Sequence, residues 1–112
     1  MKKPEFSLDN KVALITGAAG GIGEAITDLF GAAGARLFIN GTKEEKLKAL
    51  SDRLKEKGVE HSSKAIDITA PGAPRELIDA VIDQMGTIDI LVMPARSLTS
   101  AIFFATSLLS RL

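Results

Sequence analysis

Hydrophobic residues along the chain fall into short unbroken runs that alternate with longer stretches of helical spacing. Short apolar runs are typical of strands buried on both faces of a parallel sheet, and apolar residues three and four positions apart indicate amphipathic helices. Four strands are predicted, over residues 11–16, 35–40, 59–66 and 88–93. The stretches between them predict three helices, over residues 22–33, 43–57 and 74–85. The predicted element order is therefore β-α-β-α-β-α-β.

The ends of the predicted helices carry sequence signals. Thr42 and Glu45 have the spacing of a capping box, so the second helix is expected to take Thr42 as its N-cap. Pro74 would clash with the carbonyl of Ala70 inside a helix, so the third helix is expected to begin close to Pro74. A glycine, which is a common helix stop, follows each helix: Gly34, Gly58 and Gly86. Inward stripes are predicted at Leu47, Leu50 and Leu54 in the second helix and at Leu77, Ile78, Val81, Ile82 and Met85 in the third.

Right-handed crossovers arrange four such parallel strands as an α/β, Rossmann-like doubly wound sheet in the order 3-2-1-4. The third strand contains more polar residues than the others, which favours an outer position. Residues 1–10 form a lead-in, residues 11–93 the α/β domain, and residues 94–112 an apolar tail. A helical stripe from Leu98 to Leu112 predicts a C-terminal amphipathic helix that packs on the sheet or on a neighbour. A membrane-surface helix is disfavoured because the tail lacks a basic face.

Composition narrows the classes of function. The chain has 14 basic and 14 acidic residues, and this balance predicts no nucleic-acid partner. It has no cysteine, no signal-peptide pattern at its start and no apolar run of membrane length. A cytoplasmic protein without a membrane partner is therefore expected. The chain also contains no tyrosine and no tryptophan, which limits the proton chemistry open to it.

A glycine-rich turn joins the first strand to the first helix, in the stretch TGAAGGIG from Thr16 to Gly23. Free backbone amides and the positive end of the helix dipole form an anion site at such a turn. Gly17 permits a tight exit from the strand, Gly21 removes a side chain where a pyrophosphate approaches, and Gly23 lets the helix pack closely. The turn is therefore predicted to bind a phosphate group.

This stretch resembles the TGxxxGIG signature of the short-chain dehydrogenase/reductase family. The segments FSLDNKVALITG, AIDIT and GTIDILV are also similar to segments of that family, so the resemblance runs from about Phe6 to Val92. It implies binding of NAD(P)(H) and hydride transfer between an alcohol and a ketone. The implied contacts are Gly17, Gly21, Ile22 and Gly23 at the pyrophosphate, and Asp67 with Ile68 beside the adenine. The alternative for Asp67 is a loop or helix-capping carboxylate.

The residues after the second strand bear on which nicotinamide cofactor binds. NAD-specific sites usually place an acid about 20 residues beyond the glycines, on the ribose hydroxyls. Here the chain reads Asn40, Gly41, Thr42 and Lys43. Thr42 can donate a hydrogen bond to a 2′-phosphate and Lys43 can offer a positive charge, so NADP is favoured over NAD. The alternative for Lys43 is a solvated residue of the first helical turn.

Two features depart from the family pattern. Residues 93–96 read MPAR where the family has an NNAG motif. The family's Tyr-x-x-x-Lys pair, which moves the proton, is absent because the chain has no tyrosine. His61, the only histidine, lies in the predicted third strand and is interpreted as structural. No catalytic residue and no metal site is therefore assigned.

Three interpretations of the chain remain open. It is the cofactor-binding half of a truncated family member without catalysis of its own, or one half of a split enzyme that a second chain completes, or a non-enzymatic protein that binds a dinucleotide or partner subunits. A truncated sheet would leave the fourth strand without its outer neighbour, and open strand edges promote pairing with other chains. Self-association is therefore expected.

Overall fold

A computed structural model of the protein describes residues 6–94 and Thr106. Four parallel strands form one sheet, and three helices alternate with them along the chain. The strands are β1 (Val12–Ile15), β2 (Arg36–Gly41), β3 (His61–Ala65) and β4 (Ile90–Val92). The helices are α1 (Gly21–Ala32), α2 (Glu44–Glu56) and α3 (Ala73–Met85). The strand order β3-β2-β1-β4 confirms the predicted doubly wound sheet.

The strand β1 is the centre of the sheet. It pairs with β2 on one side, where Leu14 lies opposite Phe38, and with β4 on the other, where Leu14 lies opposite Leu91. All four residues of β1 are fully buried, as an unbroken apolar run in a parallel sheet predicts. The strand β3 pairs with β2 alone among the described strands, which confirms its outer position.

Side chains that alternate along the strands divide the core between the two faces of the sheet. One face lies under α1 and α2, and its fully buried residues include Ile15, Leu37 and Leu54. The other face lies under α3, where Leu14 and Phe38 pack with Leu77. Each fully buried leucine contributes about 1.5–3 kcal/mol relative to an exposed one. The sheet is therefore packed against helices on both of its faces.

The helices end at the predicted glycines, but α2 does not begin with the predicted capping box. Gly34, Gly58 and Gly86 have φ values of 97°, 73° and 86°, in the left-handed region that glycine tolerates. The capping box at Thr42 is wrong, because Lys43 is the N-cap of α2 and no side chain caps the helix. The chain stays extended through Lys43 (φ −102°, ψ 107°), so Thr42 lies one residue outside the cap.

Three strands are shorter than the apolar pattern predicts: β1 by two residues, and β3 and β4 by three each. Val59 donates its amide to the carbonyl of Leu54 at 3.0 Å, so it completes the exit from α2 before β3 begins at His61. Asp89 receives the Val12 amide on its carboxylate at 2.8 Å and donates its own amide to the Val12 carbonyl at 2.9 Å. These bonds tie the entry of β4 to the start of β1, so regular pairing begins only at Ile90.

The predicted C-terminal amphipathic helix, with its stripe from Leu98 to Leu112, lies outside the described residues apart from Thr106, which is helical and exposed. Ala95 and Arg96 of the MPAR stretch also lie outside them. Within the part that is described, no helix has the length and hydropathy needed to cross a membrane.

Candidate functional site

The carboxyl ends of the four parallel strands lie along one edge of the sheet. The loops that leave this edge are residues 16–20 after β1, 42–43 after β2 and 66–72 after β3, and β4 ends there at Val92. The chain runs from β1 to one side of the sheet and later returns to the other side as β4, so a switch point lies beside β1. Doubly wound sheets bind their ligands at this place.

The glycine turn is built from two close backbone approaches. Gly17 has a φ of 60°, a left-handed conformation that lets the chain reverse directly after β1. A Cβ atom on Gly23 would lie 2.0 Å from the Gly17 carbonyl oxygen and 2.9 Å from the Cα of Ala18. Gly23 therefore lets α1 pack against the turn itself, and any side chain there would push the helix away from it.

The N-terminus of α1 presents free amides to solvent. The first intrahelical bond closes from the Glu24 amide to the Gly20 carbonyl at 2.7 Å, and the amides of a helix before this point have no intrahelical acceptor. Gly20 is the N-cap and no side chain caps the helix. Gly21 is exposed, and a Cβ on it would meet no atom within 4 Å. Ile22 is 71% exposed. Open amides at the positive end of the helix dipole are suited to an anion.

The residues predicted to choose between the two cofactors stand beside this turn. Gly41 is buried at the end of β2, and a Cβ on it would lie 4.0 Å from the Cβ of Ala19 in the glycine turn. Thr42 and Lys43 follow directly and are both exposed. The structure therefore brings a hydroxyl and an ammonium group to the same edge as the open amides.

The loop after β3 carries an ordered carboxylate. Asp67 is exposed, and its Oδ1 accepts hydrogen bonds from the Thr69 hydroxyl at 2.6 Å and the Thr69 amide at 2.9 Å. These two bonds, the hydroxyl one first, lower the pKa of Asp67 below its ordinary value of 3.8. These bonds are those of a loop carboxylate, which was the alternative interpretation of Asp67. The other carboxylate oxygen, Oδ2, takes no part in the bonds from Thr69. Ile68 is half-buried against the α3 face of the core.

Two buried polar residues support this edge and were given no role by the sequence reasoning. The side-chain amide of Asn40 donates to the carbonyls of Lys64 and Ile66, at 3.0 and 3.1 Å. The hydroxyl of Thr27 donates to the carbonyl of Gly23 at 2.7 Å, which braces the first turns of α1. A polar residue directly after the apolar run LFI was the signal available for Asn40.

His61 lies at the opposite end of β3, away from the carboxyl edge. Its Nδ1 donates to the Val59 carbonyl at 2.9 Å, and its Nε2 shares a hydrogen bond with the Ser51 hydroxyl at 2.7 Å. This agrees with the structural role predicted for it. In the part of the chain that the structure describes, no cluster of three or more His, Asp or Glu side chains is placed to hold a metal ion.

A family profile of the short chain dehydrogenases matches residues 11–105. The matched range includes the glycine turn and all four strands. The chain belongs to the short-chain dehydrogenase/reductase family. Members of this family are oxidoreductases with a Rossmann-type NAD(P)-binding fold.

Several relatives and solved structures resemble this short-chain dehydrogenase/reductase chain. It is 40% identical over 91 residues to D-threitol dehydrogenase of Mycolicibacterium smegmatis, an alignment that covers 81% of this chain and 35% of the relative. It is 38% identical over 87 residues to a 3-oxoacyl-(acyl-carrier-protein) reductase of Vibrio cholerae, with 78% and 34% covered. The chain therefore spans about a third of the length of these curated relatives.

Two solved structures of the family carry different cofactors. The L-sorbose reductase of Gluconobacter frateurii, complexed with NADPH and L-sorbose, superposes with a TM-score of 0.84 at 25% identity and covers 96% of this chain and 51% of its own. A short-chain dehydrogenase/reductase of Burkholderia phymatum in complex with NAD has a TM-score of 0.73 at 30% identity and covers 77% and 31%. The likeness extends to members that bind either cofactor.

Proposed function

We propose that this chain binds an NAD(P)(H) dinucleotide along the carboxyl edge of its sheet and does not transfer hydride by itself. The observation that carries the proposal is the exposed, uncapped N-terminus of α1 behind the Gly17 turn, in a member of this family. A bare backbone with open amides is the local requirement for a close pyrophosphate contact. The residues present fit the group that the family binds.

The four residues of the turn would hold the pyrophosphate. Gly17 shapes the turn, Gly21 and Ile22 offer exposed backbone, and Gly23 keeps the helix against the turn. The dinucleotide is dianionic at this point, so the helix dipole adds a favourable charge interaction. When bound, the nicotinamide ring supplies or accepts the hydride.

The outer loops would hold the adenosine end. The carboxylate of Asp67, whose pKa the two bonds from Thr69 lower, would accept a hydrogen bond from the adenine amino group. Ile68 offers an apolar surface beside the ring. Thr42 and Lys43 are exposed at the end of β2, where a 2′-phosphate would lie, which favours NADP over NAD. The first-turn acids Glu44 and Glu45 follow them and weaken that preference.

The absence of catalysis follows from the side chains of the 112 residues. The sequence has no tyrosine, and the only histidine is bonded to Ser51 and Val59 at the far end of β3. A positioned general acid or base contributes about 10²–10⁴-fold to such a reaction. The chain therefore lacks the tyrosine that moves the alcohol proton in this family, and its histidine lies away from the proposed site.

Calorimetric titration of NADPH and NADH into the 112-residue chain tests the proposal. The chain is expected to bind, with NADPH the tighter ligand. Gly21→Val should abolish binding, because its side chain would fill the pyrophosphate approach, while the melting curve stays that of the parent because no atom lies within 4 Å of the new Cβ. Ala25→Val, at an exposed position of the same helix, is the matched control and should bind normally.

Equal affinity of the parent and Gly21→Val would show that the turn does not hold the pyrophosphate. NADPH oxidation with a panel of ketones is expected to stay at background. A protein-dependent turnover that survives repurification would contradict the absence of catalysis.

A further inference from the structure

Asn40 stands between the two ends of the carboxyl edge. Its side chain is buried, with only 2% of its surface exposed. Its backbone carbonyl accepts the Ala18 amide of the glycine turn at 2.9 Å. Its side-chain amide donates to the carbonyls of Lys64 and Ile66, at 3.0 and 3.1 Å. One residue thus joins the turn after β1 to the segment after β3.

The side-chain bonds of Asn40 extend the contact between β2 and β3 beyond the ladder itself. Asn40 pairs with Lys64 in the parallel register, and the ladder closes with the Ile66 amide on the Gly41 carbonyl at 3.0 Å. The amide of Asn40 then binds one carbonyl in β3 and one in the segment directly after it, two residues further on. Only a group with two N–H donors on one atom serves both carbonyls, and a buried carbonyl without a donor is costly.

We propose that Asn40 is a positioning residue for the dinucleotide. It sets the spacing between the phosphate end of the site at the glycine turn and the adenine end at Asp67 and Ile68. This inference rests on the proposed function of the edge. Because Asn40 is buried, it acts through Ala18 and Ile66 and not by touching the ligand.

The substitution Asn40→Leu in the 112-residue chain removes both donors at similar size. Val81→Ala is the control, since Val81 is fully buried in α3 and belongs to the α3 face of the core. Asn40→Ser keeps one donor, and its effects should fall between the parent and Asn40→Leu. It also replaces the leucine variant should that chain not fold.

Amide hydrogen exchange of the ligand-free chain is the first measurement. The amides of Ile66, Thr69 and Ala70, which bond to Gly41 and Asp67, should exchange about tenfold faster in Asn40→Leu relative to the amides of β1. Val81→Ala should leave that ratio unchanged. An unchanged ratio in Asn40→Leu would overturn the inference.

Ligand affinity is the second measurement. NADPH touches both ends of the proposed site and should bind about tenfold more weakly to Asn40→Leu. Inorganic pyrophosphate needs the glycine turn alone and should bind nearly as it does to the parent. Equal losses for both ligands would show a general loss of structure and would overturn the positioning role. A parent chain that binds no NADPH would refute the proposed function, while the exchange ratios would still decide whether Asn40 holds the two segments together.

Discussion

Gly21 and Gly23 of the turn are under different physical constraints. Gly21 faces open space, and its lack of a side chain matters only to something that approaches from outside. Gly23 faces the protein, since its missing Cβ would overlap backbone atoms of Gly17 and Ala18. Under the proposed function, Gly21 would serve binding, whereas Gly23 serves folding, although the two are only two positions apart.

This difference predicts opposite results for the same small substitution. Gly23→Ala should lower the free energy of unfolding by about 1–3 kcal/mol, because backbone atoms at 2.0 and 2.8 Å cannot move aside without shifting the helix. Gly21→Ala should leave it nearly unchanged. Urea denaturation of the two variants and the parent measures both effects. Equal stability of the two variants would contradict the close approach of α1 to the turn.

The carboxylate of Asp67 permits a test of the loop after β3. The hydroxyl and amide of Thr69 lower the pKa of Asp67 in the folded chain. The bonds therefore stabilise the folded state at pH values above the ordinary pKa of 3.8. This stabilisation is lost as the pH falls through the lower pKa of the folded state. Thr69→Val removes the hydroxyl and should raise the pKa of Asp67 part of the way back. NMR titration of the Asp67 carboxyl in both chains gives the two values. A pKa that does not move would exclude the hydroxyl bond as the main cause.

At the scale of elements, an arginine joins the two helices that cover one face of the sheet. Arg53 of α2 contacts Glu24 of α1 at 2.6 Å and both carboxylate oxygens of Asp28 at 3.0 and 3.1 Å. Lys57 adds a further contact to Asp28 at 3.5 Å. These pairs raise the pKa of Arg53, with the Glu24 bond as the first cause. They link α2 to α1, the helix that follows the glycine turn.

A double-mutant cycle of Arg53→Met and Asp28→Asn should give a coupling of about 1 kcal/mol, since the groups are partly exposed and one guanidinium nitrogen contacts both carboxylate oxygens. The coupling should decrease at high salt because exposed charges are screened. Lys48→Met, on the same helix, is the control and should cost little. Chemical denaturation at low and high salt provides the four free energies. A coupling near zero at low salt would show that packing alone orients the two helices.

At the scale of the whole molecule, the relevant feature is the edge of the sheet at β4. The side of β4 away from β1 pairs with no strand within residues 6–94, and Ile90, Leu91 and Val92 are only half-buried. Open N–H and C=O groups beside apolar side chains are a template for pairing with another chain. We therefore expect the 112-residue chain to self-associate or to expose apolar surface.

Light scattering and binding of a hydrophobic dye test this expectation on the purified chain. The expected result is a mass above that of the monomer, or strong dye binding that falls as the chain associates. The expectation would be refuted by a monodisperse monomer that binds no dye and melts cooperatively.

Most of the helices and strands could be predicted because local sequence patterns specify them. The buried run of β1 and the leucine stripe of α2 specify their elements by periodicity. Gly34, Gly58 and Gly86 end their helices because the left-handed backbone conformation costs little free energy only in glycine. Gly17 to Gly23 predicted the turn for the same reason, since strand, glycine and helix follow each other directly along the chain.

The remaining features depend on contacts between residues distant in sequence. Thr42 has the right spacing for a cap, yet the β2 strand carries the extended backbone through Lys43 and places the hydroxyl outside the helix. Asn40 meets Ala18, Lys64 and Ile66 only because parallel strands align their carboxyl ends. The sequence by itself determined which elements form and where the glycine turn lies. The tertiary structure decided which side chains hold those elements together, because hydrogen bonds and ion pairs between them need a geometry that only the assembled sheet provides.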